Sequence, residues 1–261
     1  DRSPPGRWRA PNHRPTRGEI VSLAGVSLLA MSVVAGAGTQ RVTGLGFALV
    51  SSPLLVLVAG PFNGVLLANV LSLTVNLVVL AMTWREVEVR RALLLLAPAL
   101  CLVPVGAYVA RHLRPPVLLV LIGALVVIAL VAVLASDRAR VFRGPGGAAV
   151  AGALSGFMNV TAGVGGPAMA LHAVSTDWDH RRFVPSVQLY SAGLNLGSIA
   201  AKGLPHVPRS TLLVLLTALT GGIVVGNVLA RRVSPGQARR AVVALALLGG
   251  LATMVKGVLT W

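Results

Sequence analysis

The stretch Asn159-Val160-Thr161-Ala162-Gly163-Val164-Gly165-Gly166-Pro167 sets side-chain donors beside a backbone that resists staying helical. Proline removes a main-chain donor, and glycines relax the helix. Amides freed at the start of a half-helix carry partial positive charge and suit an anion. Asn159 and Thr161 flank this break and can donate to an oxyanion without burying a full charge. A second candidate break lies earlier, at Gln40, Arg41, Thr43, Gly44 and Gly46. Capping a broken helix end is the other job of Asn and Thr, and the two jobs coexist. Outside loops and segment ends the expected apolar spans carry almost no charge, and Arg41, inside the first break, is the exception. It either anchors an anionic group with its forked guanidinium or snorkels to lipid phosphates.

The two breaks belong to an internal repeat. At an offset of 119, Gln40 falls on Asn159, Gly44-Leu45-Gly46 on Gly163-Val164-Gly165, Ser72 on Ser191 and Asn76 on Asn195. At 120, Gly106, Arg111 and Pro115 fall on Gly226, Arg231 and Pro235. Spacing of four puts Ser72 with Asn76, and Ser191 with Asn195, on one helix face. Such stripes either face a cavity or bond between helices. Recurrence in both halves favours the cavity. Paired, glycine-interrupted segments at matching positions of two halves point to a transporter binding site. Non-helical backbone at membrane depth is tolerated only where it is buried in protein or lines a polar cavity.

The elements that must hold these residues are membrane helices. The 261 residues are 55% hydrophobic and 11% charged, against about 25% charged in a soluble domain. Apolar segments near the membrane-spanning length are expected at 18–39, 44–59, 62–83, 92–110, 116–135, 147–174, 183–201, 209–230 and 238–258. The fold class is therefore all-α and polytopic, with two four-helix repeats that each start with a discontinuous helix. Residues 1–17 read as a disordered basic tail, 18–135 as the first repeat, 136–146 as a cytoplasmic linker and 147–261 as the second repeat.

Other classes are disfavoured. The net charge of +16 sits in the tail and in short clusters between apolar runs, as expected beside anionic headgroups, and no polar domain carries a nucleic-acid patch. The lone Cys101 excludes an intrachain disulfide. No nucleotide loop or intramembrane catalytic set is present, and no cofactor or metal is called for. His172 reads as a core histidine, and Asp177, Asp179 and His180 as a solvated loop. Gly152 and Gly156 form a small-xxx-small seam for packing within the chain; a homodimer is compatible with the sequence but not required by it.

Topology turns on whether each broken helix crosses or returns. If both cross, the loop cations divide 8 against 9; if both return as hairpins, they divide 12 against 5. The positive-inside rule prefers the second. The halves are then inverted, and loops 84–91 and 136–146 are cytoplasmic.

Two motifs, Gly44-Leu45-Gly46-Phe47-Ala48-Leu49-Val50-Ser51-Ser52-Pro53 and the stretch from Gly152 to Pro167, resemble the TauE/SafE sulfite-exporter family over roughly residues 18–258. The resemblance implies a multi-pass cell-membrane transporter that exports sulfite, sulfonates or other small anions. Its partners would be that anion and the lipid bilayer. The family's glycine cluster is thinner here in the first half, where Phe47 and Ala48 stand.

Overall fold

The structure is a computed structural model that describes residues 23–43, 46–134, 141–229, 232 and 235–261. The expected tail and residues 136–140 of the expected linker lie outside the described residues, and the linker's last residues, from Gly144, already belong to a helix. The chain folds as α1 (Leu23–Thr43), α2 (Gly46–Ala59), α3 (Pro61–Thr83), α4 (Val89–His112), α5 (Pro115–Leu134), α6 (Gly144–Ala162), α7 (Gly166–Ser175), α8 (His180–Lys202), α9 (Arg209–Leu229) and α10 (Pro235–Leu259). Prolines open several of these helices, at Pro61, Pro115, Pro145, Pro167 and Pro235. Proline suits that place because the first helical amide lacks an intrahelical partner anyway.

Among the described residues, five helices are long and apolar enough to cross a bilayer: Pro61–Glu86, Val89–His112, Pro115–Leu134, Arg209–Val228 and Arg240–Leu259. Their outer faces carry exposed Leu77, Leu93, Ile128, Leu213 and Leu248, as expected of helices that face lipid. Helix α8 has the length, at 23 residues, but Gln188, Ser191, Asn195 and Ser198 interrupt its apolar character. It lies inside, packed on α3, α4 and α6.

Both broken helices return. In the first, Ser51 donates to the Ser32 carbonyl at 2.9 Å, and a Cβ on Gly36 would meet Phe47. Residues advance along α2 as they recede along α1, which makes an antiparallel hairpin. In the second, the Arg143 guanidinium donates to the Ser175 carbonyl at 3.0 Å, and the His172 ring meets the Phe142 carbonyl at 2.8 Å. The end of α7 therefore lies beside the start of α6. Three crossings, α3 to α5, separate the hairpins, so they enter the bundle from opposite ends. One end gathers Arg85, Glu88, Arg91, Arg143 and Arg182, tied by Arg182–Glu88 and Arg91–Glu88 ion pairs of 3.3 and 3.7 Å. At the other, the His206 amide donates to Asn63 and Lys256 to the Leu57 carbonyl.

The halves interlock. Helix α1 packs on α9 as α6 packs on α4, α2 on α10 as α7 on α5, while α3 pairs with α8 and α5 with α10. Element starts correspond at 61 and 180, and at 115 and 235. Small residues permit these close crossings. A Cβ on Gly152 or Gly156 would strike the Leu95 or Ala99 carbonyl of α4, and one on Gly222 would meet Val34 of α1 at 2.8 Å. The Gly152–Gly156 seam thus works within the chain.

Two expected boundaries are corrected. Gln40 to Thr43 were expected to connect two segments but continue α1, since none of these side chains forces an exit. The segment expected at 147–174 starts earlier, at Gly144; its expected interruption lies at Gly163 to Gly165, between α6 and α7.

Candidate functional site

The second break follows from local chemistry. Gly163 has φ of 73°, the left-handed conformation in which glycine ends helices without strain. Its amide donates to the Asn159 carbonyl at 2.8 Å, and Val164 donates to Met158 at 3.4 Å. The chain then folds back along α6 until the Ser155 hydroxyl donates to the Gly165 carbonyl at 2.7 Å. Helix α7 begins there with Gly166 and Pro167. Its first-turn amides have no acceptor within the helix.

A small cavity of about 40 Å³ lies where the two hairpin tips meet α3 and α8. Gln40, Phe47 and Ala48 line it from the first hairpin, and Ser155, Asn159, Gly165 and Gly166 from the second. Helix α3 contributes Ser72 and Asn76; helix α8 contributes Tyr190, Ser191, Leu194 and Asn195. The lining polar groups are amides and hydroxyls, with no carboxylate, imidazole or thiol among them. Asn159 donates to the Asn195 carbonyl oxygen and to the Ser198 hydroxyl, both at 3.1 Å. The Ser72 hydroxyl is buried with no partner among the described residues. A cleft of about 120 Å³ approaches from the arginine-rich end, past His180 and Met82, and reaches Gln40 and Gln188. These two side chains bond to each other at 3.4 Å.

Of the residues singled out in the sequence, Gln40, Asn76, Asn159, Gly165, Gly166, Ser191 and Asn195 come together here. Others do not. The Thr161 hydroxyl turns back to the Phe157 carbonyl at 2.6 Å, and its methyl faces Gly106 on α4. The Gly163 amide is spent on its cap, and its Cα faces Ser52 and Ala68. Pro167 and Gly46 are buried helix starts outside the lining. Gly44 and the side chains of Arg41 and Thr43 lie outside the described residues. His172 is buried and bonded to Phe142. Asp179 accepts the Arg181 and Arg182 amides as the cap of α8.

Sequence reading missed Ser155, Tyr190, Gln188 and Lys202. Lys202 ends α8, yet it is only 6% exposed. Its ammonium donates to the Val160 carbonyl in the last turn of α6 at 2.6 Å and sits 5.7 Å from the Phe62 ring centre. Helical spacing could have found it. Gln188, Ser191, Asn195, Ser198 and Lys202 follow one another at intervals of three and four, one continuous polar face along α8.

The family model described as Sulfite exporter TauE/SafE matches residues 28–253. No curated protein and no solved structure matches the chain.

Proposed function

The chain belongs to the sulfite exporter TauE/SafE family, and from that premise we propose that it is a secondary transporter that exports a small anion such as sulfite or a sulfonate. One observation supports this reading most: two broken hairpins enter from opposite ends and meet at one cavity lined by neutral donors. Gly165 and Gly166 bring the start of α7 to that cavity. Amides at a helix start attract an anion without a buried counter-charge. Hydroxyls and carboxamides complete its coordination, and their neutrality lets the ion leave again.

The cavity's groups bind and do not break bonds, so the protein acts as a carrier rather than an enzyme. The arginine-rich end is cytoplasmic by the positive-inside rule, and the protein sits in the cell membrane. The cleft past His180 then admits the anion from the cytoplasm. Coupling within this chain uses an ion or substrate gradient.

Reconstitution into liposomes tests the reading. Sulfite, sulfate, alkyl sulfonates and small carboxylates are loaded in turn, and flux is followed without nucleotide. The proposal expects saturable flux of at least one oxyanion. Correctly folded protein that moves none of them would instead be a scaffold or a subunit of a larger membrane complex.

A further inference from the structure

Asn69 is fully buried on α3, and neither its amide nitrogen nor its carbonyl oxygen has a partner among the described residues. An unsatisfied buried carboxamide destabilises the state that contains it. It lies three residues before Ser72 and seven before Asn76, on the helix face that lines the cavity. The tip of the second hairpin is beside it, since a Cβ on Gly163 would stand 3.2 Å from the Ala68 methyl.

Its counterpart at the 119 offset is Gln188, which is bonded to Gln40 beneath the open cleft. Gln40 corresponds to Asn159. Each pair joins one half to the other, and the two equivalent pairs differ: Gln40–Gln188 is bonded and Asn159–Asn69 is not. Asn159 reaches instead to Asn195 and Ser198. The Gln40 carbonyl oxygen accepts the Phe47 amide at 3.0 Å. Where two halves share a fold but enter from opposite ends, exchanging their local conformations converts a cleft at one end into a cleft at the other.

Resting on the transporter reading, we propose that Asn69 is the latent partner of Asn159: the two bond when the cleft opens at the end opposite the arginines, as Gln40 and Gln188 bond now. In that state Asn159 leaves Asn195, its carbonyl oxygen takes the Gly166 amide, and Gln40 turns to Asn76. The exchange is incomplete, because Val79 stands where the other half has Ser198. Asn69 is a positioning residue that sets the balance between the two states.

The test needs no substrate. In a Cys101→Ser background, Ile223→Cys reports the present cleft, and its counterpart Val103→Cys, now 4% exposed, reports the opposite one. Each is labelled from either side of a vesicle with a membrane-impermeant thiol reagent. Losing one neutral hydrogen bond in one state shifts the ratio of states roughly two- to ten-fold. Asn69→Leu should lower labelling of Val103→Cys by such a factor, Gln188→Leu should raise it, and Asn69→Gln should retain the normal ratio. Asn69→Ala replaces Asn69→Leu if the latter does not fold. An unchanged ratio in Asn69→Leu, or a shift in the same direction in Gln188→Leu, would overturn the proposal. Anion flux with no change in labelling sinks only Asn69's role. A labelling shift without flux of any anion sinks only the transport reading.

Discussion

The two broken hairpins share a path but not a chemistry. At the first, Phe47 plugs the start of α2 at 1% exposure, and Gln40 consumes its amide. At the second, the corresponding residue is Gly166, which lines the cavity, and the corresponding Asn159 points its amide at α8 instead. One hairpin presents main-chain donors to the cavity; the other presents a ring and a closed cap. Architecture tolerates this divergence because each hairpin is held by its partner half, α1 by α9 and α6 by α4. The break itself is free to specialise. The second hairpin is therefore the better candidate for binding, and the first for setting which end is open.

The largest effect should come from filling the second break. A Cβ on Gly165 would stand 2.7 Å from the Ser155 hydroxyl and 3.0 Å from its carbonyl, so Gly165→Val forces the start of α7 off its present path. Flux should be lost while the protein still reaches the membrane. Normal flux would show that the tips need not meet as they do here, and the comparison would fall.

Arg41 tests the other side of the comparison. Its counterpart is the neutral Val160. If the first hairpin adds a fixed charge to an otherwise neutral site, Arg41→Gln should lose most of the flux through weakened apparent affinity. Arg41→Lys should keep part of it, because charge survives while the bidentate fork is lost. Equal affinity in all three proteins would assign Arg41 to lipid headgroups and leave binding to the second half alone.

The matched pair Asn159→Ala and Gln40→Ala sharpens the contrast. The first strands the Asn195 and Ser198 partners beside the start of α7; the second removes the partner of the Phe47 amide and the bond to Gln188 under the cleft. Each buried group left unsatisfied costs about 1–3 kcal/mol. Asn159→Ala should therefore raise the substrate concentration for half-maximal flux roughly ten-fold or more. Gln40→Ala should alter maximal flux more than affinity. Reversed roles in liposome kinetics would place binding in the first hairpin.

Much of this was legible in the sequence, for reasons that differ by residue. The breaks were visible because glycine and proline act locally, whatever surrounds them. The offset matched Asn76 to Asn195 because both sit mid-helix on the shared cavity. Thr161 misled because a threonine beside a break caps an end or back-bonds to the preceding turn with equal ease, and only packing against Gly106 decides. Its neighbour Asn159 belongs to the cavity for a reason that is equally tertiary, the presence of α8. That the hairpins return was favoured by the division of loop cations along the whole chain, whereas the bonds that close them, such as Arg143 to Ser175, are long-range and no local pattern encodes them. Lys202 was hidden by its place at a segment end, where lysine is ordinarily solvated.

The smallest effect is expected at Lys202, where two large terms oppose each other. Its ammonium neutralises the carbonyl end of α6, a contribution of about 0.3–1 kcal/mol at exposed ends and up to about 2 when partly buried. Against this stands the desolvation of a charge that is 6% exposed, with no carboxylate paired to it among the described residues. Replacing buried ionic groups with well-packed apolar residues is often neutral or stabilising. Lys202→Met keeps the stem over Phe62 and removes only the charge, so the thermal midpoint in detergent should move little, with flux within a few-fold of normal. Lys202→Ala should lower the midpoint further, since it also empties the space beside that ring. If Lys202→Met alone unfolds the protein, the cap outweighs desolvation. The second hairpin would then depend on α8 for its fold as well as for its polar face, and the freedom ascribed to the break would be smaller than the comparison implies.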